Sequence, residues 1–308
     1  MSNKTEKPKI IVVLGTTASG KTALGVKLAA KYNGEIISAD SRQVFKGMDI
    51  GTGKDLIEYK VGRKKIPYHL IDVVSPNTEF NLAKYQKLAN LAIKDILSRG
   101  KLPIIVGGTG LYLQAIIDGY QLTKGVPDPK RRAELDAMTA LELFKIVEKM
   151  NAEFAHHLNN SDKNNPRRLI RYIEIMEQGE NTKPVKKQDK YNFLLLGLSW
   201  PDDVLRERIM ARLKSRLEKE NMVGEIENLQ ADGVSWQRLN SFGLEYRFIA
   251  YYLQGKMEYQ EMIEKLGIAI YRFAKRQKTW FKRWEKQGRK IEWIKDLKAA
   301  EKLIDKFL

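Results

Sequence analysis

A chain of 308 residues with no cysteine and a formal charge of +17 at pH 7 excludes several function classes at once. Disulfide scaffolds, thiolate catalysis and cysteine zinc sites need a residue it lacks, and no apolar run reaches the ~18 residues that cross a bilayer. The N-terminal MSNKTEKPK holds no apolar signal-peptide core, so a cytoplasmic protein without membrane association is expected, and the basic excess makes polyanions natural partners.

The first strand is IIVVL (10–14), and a helical pattern runs from Lys21 to Tyr32. Between them GTTASGKT is a G-x-x-x-x-G-K-T phosphate loop, placed after a strand and before a helix as its mechanism requires. The backbone of Gly15, Thr16, Thr17, Ala18, Ser19 and Gly20 would form an anion nest at a helix N-terminus. Lys21 would reach phosphate oxygens, and Thr22 would offer a hydroxyl to Mg²⁺. The motif does not choose the phosphate compound: an NTPase needs a residue that orients water, and a kinase needs room for an acceptor hydroxyl.

EIIS (35–38) is a second strand that opens into SADSRQVFKGMDIGTGK. Ligands of open α/β sheets gather at strand carboxyl ends. Asp40, Ser41 and Gln43 would therefore project toward the phosphate loop, although an Asp there can equally serve only as a turn-former. YHLIDVV (68–74) reads as a third strand; its Asp72 is either a metal-holding carboxylate or a turn cap, and its His69 either a core residue or a catalyst. A helix follows over 81–98, with Leu82, Tyr85, Leu88, Leu91 and Leu97 near helical spacing. LPIIV (102–106) is stopped by GGTG, whose Thr109 could donate to a phosphate. Short apolar strands alternating with helices predict an α/β fold, a phosphate-loop NTPase-like parallel sheet covered by helices.

From Val126 to Gln178 the pattern turns helical and Arg-rich, and 179–190 reads as a polar loop. FLLLGLSW (193–200) returns as a buried strand. Two amphipathic helices follow, DDVLRERIMARLKSRLEKE and IAIYRFAKRQKTWFKRWEKQ, and IEWI (291–294) adds a late edge strand. The organisation is a discontinuous core, 1–122 with 186–308, carrying a helical insertion over 123–185. In the last long helix Trp280 and Trp284 should pack inward and leave Arg272, Lys275, Arg276, Lys278 and Arg283 for nucleic-acid phosphates.

GTTASGKT, ISADSRQVFKGMDIGTGK, PYHLIDV, IVGGTGLYLQAII and AKRQKTWFKRW, in that order and across nearly the whole chain, resemble the bacterial tRNA dimethylallyltransferases. These are also called tRNA isopentenyltransferases, the IPP transferase family. The resemblance implies transfer of a dimethylallyl group from dimethylallyl diphosphate to N6 of adenosine 37, beside the tRNA anticodon, with the phosphate loop holding the donor diphosphate instead of ATP. It assigns Asp40 as general base, Thr109 to the reaction channel, Lys21 and Thr22 with Mg²⁺ to the leaving group, and Arg208 of RERIMAR to the diphosphate. Asp40, Ser41, Arg42, Gln43, Thr109, Arg132, the run Arg167, Arg168, Leu169, Ile170 and Arg171, and Lys275 with Arg276 would contact a tRNA whose target base is flipped from its stack. A monomer is expected. The chain departs from the family at Thr16, where proline is usual, and at Gly53, where GTAK is usual. Three competing readings are a small-molecule kinase, a transferase acting on free adenine nucleotides and a non-catalytic RNA-binding ATPase.

Overall fold

In the computed structural model, which describes residues 6–121, 128–179, 185–186 and 190–308, the predicted apolar runs pair into one parallel sheet. The chain begins with β1 (Lys9–Gly15), α1 (Lys21–Lys31) and β2 (Gly34–Ala39), then a 3₁₀ turn (Leu56–Tyr59) and a hairpin of β3 (Lys60–Val61) with β4 (Lys64–Lys65). β5 (Tyr68–His69), α2 (Leu82–Ser98), β6 (Leu102–Gly107) and α3 (Gly110–Ile117) follow. β7 (Tyr120–Gln121) pairs with β8 (Val185–Lys186), and between them lie α4 (Pro129–Asp136), α5 (Ala140–Met150), α6 (Ala152–His157), α7 (Asn160–Lys163) and α8 (Pro166–Glu177). The chain closes with β9 (Asn192–Leu198), α9 (Asp202–Glu218), α10 (Met222–Ala231), α11 (Trp236–Phe242), α12 (Leu244–Leu253), α13 (Tyr259–Lys286), β10 (Glu292–Trp293) and α14 (Leu297–Phe307).

The sheet order is β10-β9-β1-β6-β2-β5, with every pairing parallel. Its central strand shows why the run IIVVL carries no polar alternation. Ile10, Val12 and Leu14 enter a core with α2, α3 and Trp284. Ile11 and Val13 enter another, with α1 and α14. Each face is covered, and each such side chain contributes about 1.5–3 kcal/mol by leaving water. A third apolar cluster joins α9 to α13 and takes in Val44, Phe45 and Met48 from the segment after β2.

One local expectation is corrected. The strand predicted over 68–74 pairs with β2 only at Tyr68 and His69, because Leu70 and Asp72 adopt left-handed φ values of 65° and 55°. That bend delivers Asp72 to Lys54, whose side chain is fully buried. Lys54 also pairs with Asp49 at 2.6 Å and donates to the Phe45 carbonyl at 2.7 Å. Asp72 is thus committed to pinning the 45–54 segment. On α2 the buried stripe is Tyr85, Ala89, Ala92, Ile93 and Ile96, while Leu91 stays exposed. Leu82, Leu88 and Leu97 are partly buried against the same core, as the predicted helical spacing implies.

His69 belongs to the end of the sheet away from the phosphate loop, where its Nε2 lies 2.8 Å from Glu35. Arg99 grips the same buried carboxylate, and Lys101 joins at 2.7 Å. The Arg99 hydrogen bonds, reinforced by Lys101 and His69 and opposed by burial, hold the Glu35 carboxyl well below the usual range.

The chain divides into two compact units, Met1–Asp118 with Asp189–Leu308, and Gly119–Gln188. The predicted junction at 122–123, the predicted helical start at Val126 and most of the predicted 179–190 loop lie outside the described residues. The smaller unit has its own core of Leu135, Leu143, Val147, Leu169, Ile170 and Ile173. Its helices carry their own start signals: Asp128 caps α4, Thr139 and Glu142 form a capping box on α5, and Asn165 caps α8 ahead of Pro166.

Candidate active site

β1, β6 and β2 are neighbours, so their carboxyl ends bring the phosphate loop, the GGTG turn and Asp40 to one cleft of about 1170 Å³. In the loop, Ala18 and Gly20 take left-handed φ of 58° and 90°, which turns the chain into the first turn of α1, where amides lack intrahelical acceptors. Gly15 has no room for a side chain: a Cβ would lie 2.7 Å from Ser19 Oγ and 2.8 Å from the Leu198 carbonyl. Thr16 is buried, and its hydroxyl and that of Ser19 find no partner among the described residues.

Side chains from outside the loop fix its carbonyls. Arg208 Nε donates to Ala18 at 2.8 Å while its guanidinium lies over Trp200, and Trp200 Nε1 donates to Ser19 at 3.1 Å. Lys21 Nζ donates back to the Thr16 carbonyl at 3.2 Å. Burial pushes the Lys21 ammonium down to about 8; Asp40 and Asp55 oppose this and Arg212 adds to it. The loop therefore presents a poorly hydrated cation that an incoming anion would stabilise.

Asp40 both forms a turn and lines the cleft. One carboxylate oxygen accepts the Arg42 N–H at 2.8 Å, forming a turn, and the other carries no hydrogen bond among the described residues and belongs to the cleft wall. Thr109 braces that turn: its hydroxyl accepts the Ser41 N–H at 3.1 Å, and its own N–H donates to Ala39 at 3.2 Å. Gln43 also lines the cleft, but its amide is engaged within the protein, accepting from Ser38 at 2.8 Å and donating to the Gly53 carbonyl at 2.9 Å. Arg42 lies over the Phe242 ring, and burial lowers the pKa of its guanidinium.

Several cleft residues escaped the sequence reading. Arg212 and Arg216 share the Asp55 carboxylate at 3.1 and 3.3 Å. They approach Gly53 (φ 65°) so closely that a Cβ there would collide with both guanidiniums, which gives the departure from GTAK a steric reason. Gly243 and Leu244, at φ 74° and 40°, start α12 and place Glu245 in the cleft wall, where burial pushes its carboxyl up against the pull of Arg216 and Arg212. Gln277 accepts the Thr17 N–H at 2.8 Å, so one amide of the predicted nest is already used. A signal for Gln277 was present: it is a polar residue on the stripe Met262, Leu266, Ile270, Ala274, Phe281, Trp284.

Of the predicted pair on α13, Arg276 lines the cleft. Lys275 does not; it pairs with Asp202 at 2.9 Å, beside Lys278 at 2.6 Å. Trp284 is fully buried and Trp280 packs on Gly110, as expected. The remaining predicted residues belong to the helical unit. The Leu169 and Ile170 side chains are spent on its core. Arg168 pairs with Asp162, Arg171 reaches Glu174 at 3.2 Å and Arg132 lies 3.6 Å from the same carboxylate, while Arg167 is exposed.

Comparison with known proteins places nearly the whole chain in one family. A family profile described as IPP transferase matches residues 43–284. The chain is 46% identical to tRNA dimethylallyltransferase 2 of Citrifermentans bemidjiense, over 96% of this chain and 94% of that one. It is 45% identical to tRNA dimethylallyltransferase 1 of Syntrophus aciditrophicus, over 92% and 93%. Among solved structures, the full-length tRNA isopentenylpyrophosphate transferase from Bacillus halodurans superposes with a TM-score of 0.68 at 33% identity, covering 98% of this chain and 95% of that one. A eukaryotic dimethylallyltransferase acting on tRNA gives 0.74 at 28% identity, over 89% and 69%. A phosphate loop, a braced carboxylate and these relatives lead to one assignment: the chain belongs to the IPP transferase family.

Proposed function

We propose that the chain transfers a dimethylallyl group from dimethylallyl diphosphate to N6 of adenosine 37 beside the tRNA anticodon, releasing diphosphate, as a cytoplasmic monomer. The observation that carries this reading is the convergence of an anion-binding loop and a carboxylate with an open oxygen, Asp40, in one cleft. A kinase could use the same carboxylate and arginines; membership of the IPP transferase family favours prenyl transfer.

The chemistry asks for two things at once. The N6 lone pair attacks the allylic carbon as the carbon–oxygen bond to diphosphate breaks, and the N6 proton passes to Asp40. Charge grows on the departing diphosphate, where Lys21, Arg208 and the first-turn amides of α1 would meet it without reorganising. Thr109 keeps the Asp40 turn in place through Ser41. No cluster of three or more His, Asp or Glu suited to holding a metal exists among the described residues. The Thr22 hydroxyl, in the first turn of α1 and in the wall of the same cleft, would suit Mg²⁺, which takes few protein ligands and fills its shell with phosphate oxygens and water. When bound, the ion would neutralise charge on the leaving group. Arg42, Arg276 and the arginines of the helical unit are the proposed RNA contacts, by phosphate pairing and base stacking.

The test incubates the protein with undermodified tRNA, Mg²⁺ and either labelled dimethylallyl diphosphate or labelled ATP. Label should enter tRNA from the prenyl donor alone. Phosphorylation, or bulk ATP hydrolysis without prenyl transfer, would overturn the reading.

A further inference from the structure

Gln277 occupies a position where packing alone would favour Leu or Met, on the buried stripe of α13 between Ala274 and Phe281. Its amide meets two backbone groups of opposite polarity. Oε1 accepts the Thr17 N–H at 2.8 Å and Nε2 donates to the Gly108 carbonyl at 2.9 Å. The first group belongs to the phosphate loop and the second to the turn after β6. From that turn the connection continues through Thr109, whose N–H donates to Ala39 and whose hydroxyl accepts from Ser41. These are the two residues that flank Asp40. The fit is close along the whole turn: a Cβ at Gly108 would fall on Gln277 Nε2, and one at Gly110 on the Trp280 ring.

We propose that Gln277 is a positioning residue that sets the spacing between the donor and acceptor halves of the cleft, an inference that rests on the prenyl-transfer reading above. It joins the loop that would hold the leaving group to the turn that frames the base. One planar group must offer an acceptor to Thr17 and a donor to Gly108. Gln does both; an ionised Glu of the same shape accepts but cannot donate, and Met offers no donor and only a weak acceptor. The Thr17 amide is already spent on Gln277, so diphosphate affinity falls to Lys21, Arg208 and the other loop amides. Loss of the clamp should then misplace reacting groups more than it weakens binding, and small misplacements are costly in rate.

The test compares Gln277→Met and Gln277→Glu with the natural protein, using tRNA and dimethylallyl diphosphate, with melting temperatures measured alongside. Gln277→Met should lower kcat by about 100-fold and leave the donor KM within about 3-fold, the pattern of a lost transition-state alignment. Gln277→Glu adds a readout that a purely structural role would not move. Once protonated, the introduced carboxyl regains both a donor and an acceptor in the shape of the amide. The ratio of variant to natural kcat should therefore rise about 10-fold as pH falls from about 8 to about 5.5. Undiminished kcat in Gln277→Met overturns the proposal, as does a flat ratio in Gln277→Glu; the ratio alone decides if the Met variant does not fold. Absence of transfer by the natural protein sinks the prenyl-transfer reading instead.

Discussion

The arginines of the cleft and those of the helical unit share a side chain but not a state. Arg208 is held by a loop carbonyl at one face and by Trp200 at another, and Arg212 and Arg216 are fastened to Asp55 beneath Gly53. In the helical unit Arg168 meets Asp162 at the surface and Arg167 stands exposed. A guanidinium already held by its neighbours loses little freedom on meeting an anion, whereas one without such a hold is screened by salt and gives up rotamers. The cleft should thus govern the rate of the reaction, and the helical unit the attraction of RNA.

That contrast can be broken in several ways. Asp40→Ala should have the largest effect, a loss of about 10²–10⁴-fold in transfer with tRNA affinity nearly unchanged; retained transfer would remove Asp40 as the base. Leu169→Ala, inside the core of the helical unit, should cost about 2–5 kcal/mol through the cavity it leaves. Because that core belongs to the smaller unit, denaturation followed by hydrogen exchange should show the loss concentrated there. Gly53→Ala meets a left-handed φ and two guanidiniums together, and a drop of about 1–3 kcal/mol in unfolding free energy is expected; an unchanged midpoint would show that the arginines can move aside freely.

Lys21 gives a pH test. Its folded value of about 8 lies below the ordinary 10.5, so between these two values the unfolded chain binds the extra proton and stability rises with pH. The full cost of burying the ammonium is felt below about 8 and has vanished above 10.5. Diphosphate binding runs the other way, because the charged form is the one that binds. Affinity relative to Lys21→Met should fall as pH rises past 8, by at most about tenfold per pH unit, and calorimetry with inorganic diphosphate would read it. The smallest effect belongs to Arg167→Ala, which should reduce the slope of log affinity for tRNA against log salt by about one and leave kcat unchanged.

The parts legible in the sequence are those fixed by neighbours in the chain. The phosphate loop announces itself through its glycines, Lys21 and Thr22, and Asp40 and Thr109 through their places at strand ends. The sheet strands follow from runs such as IIVVL. What stayed hidden depends on distant partners: the strand expected at 68–74 stops at a left-handed bend that brings Asp72 to Lys54. The hold of Arg212 and Arg216 on Asp55 spans more than 150 residues of sequence. Gln277 lies between these cases, since its place on an apolar stripe is visible but the two backbone groups it serves are not.

Lys54 has a consequence for chemical reactivity. All three protons of its ammonium are engaged, by the Phe45 carbonyl, Asp49 and Asp72, and no part of the side chain reaches solvent. An amine held that way has neither a free lone pair nor access to an acylating reagent. Its labelling must wait for the 45–54 segment to open, so the rate at which Lys54 becomes modified is a clock for the local unfolding of the loop that carries Gly53 into the cleft.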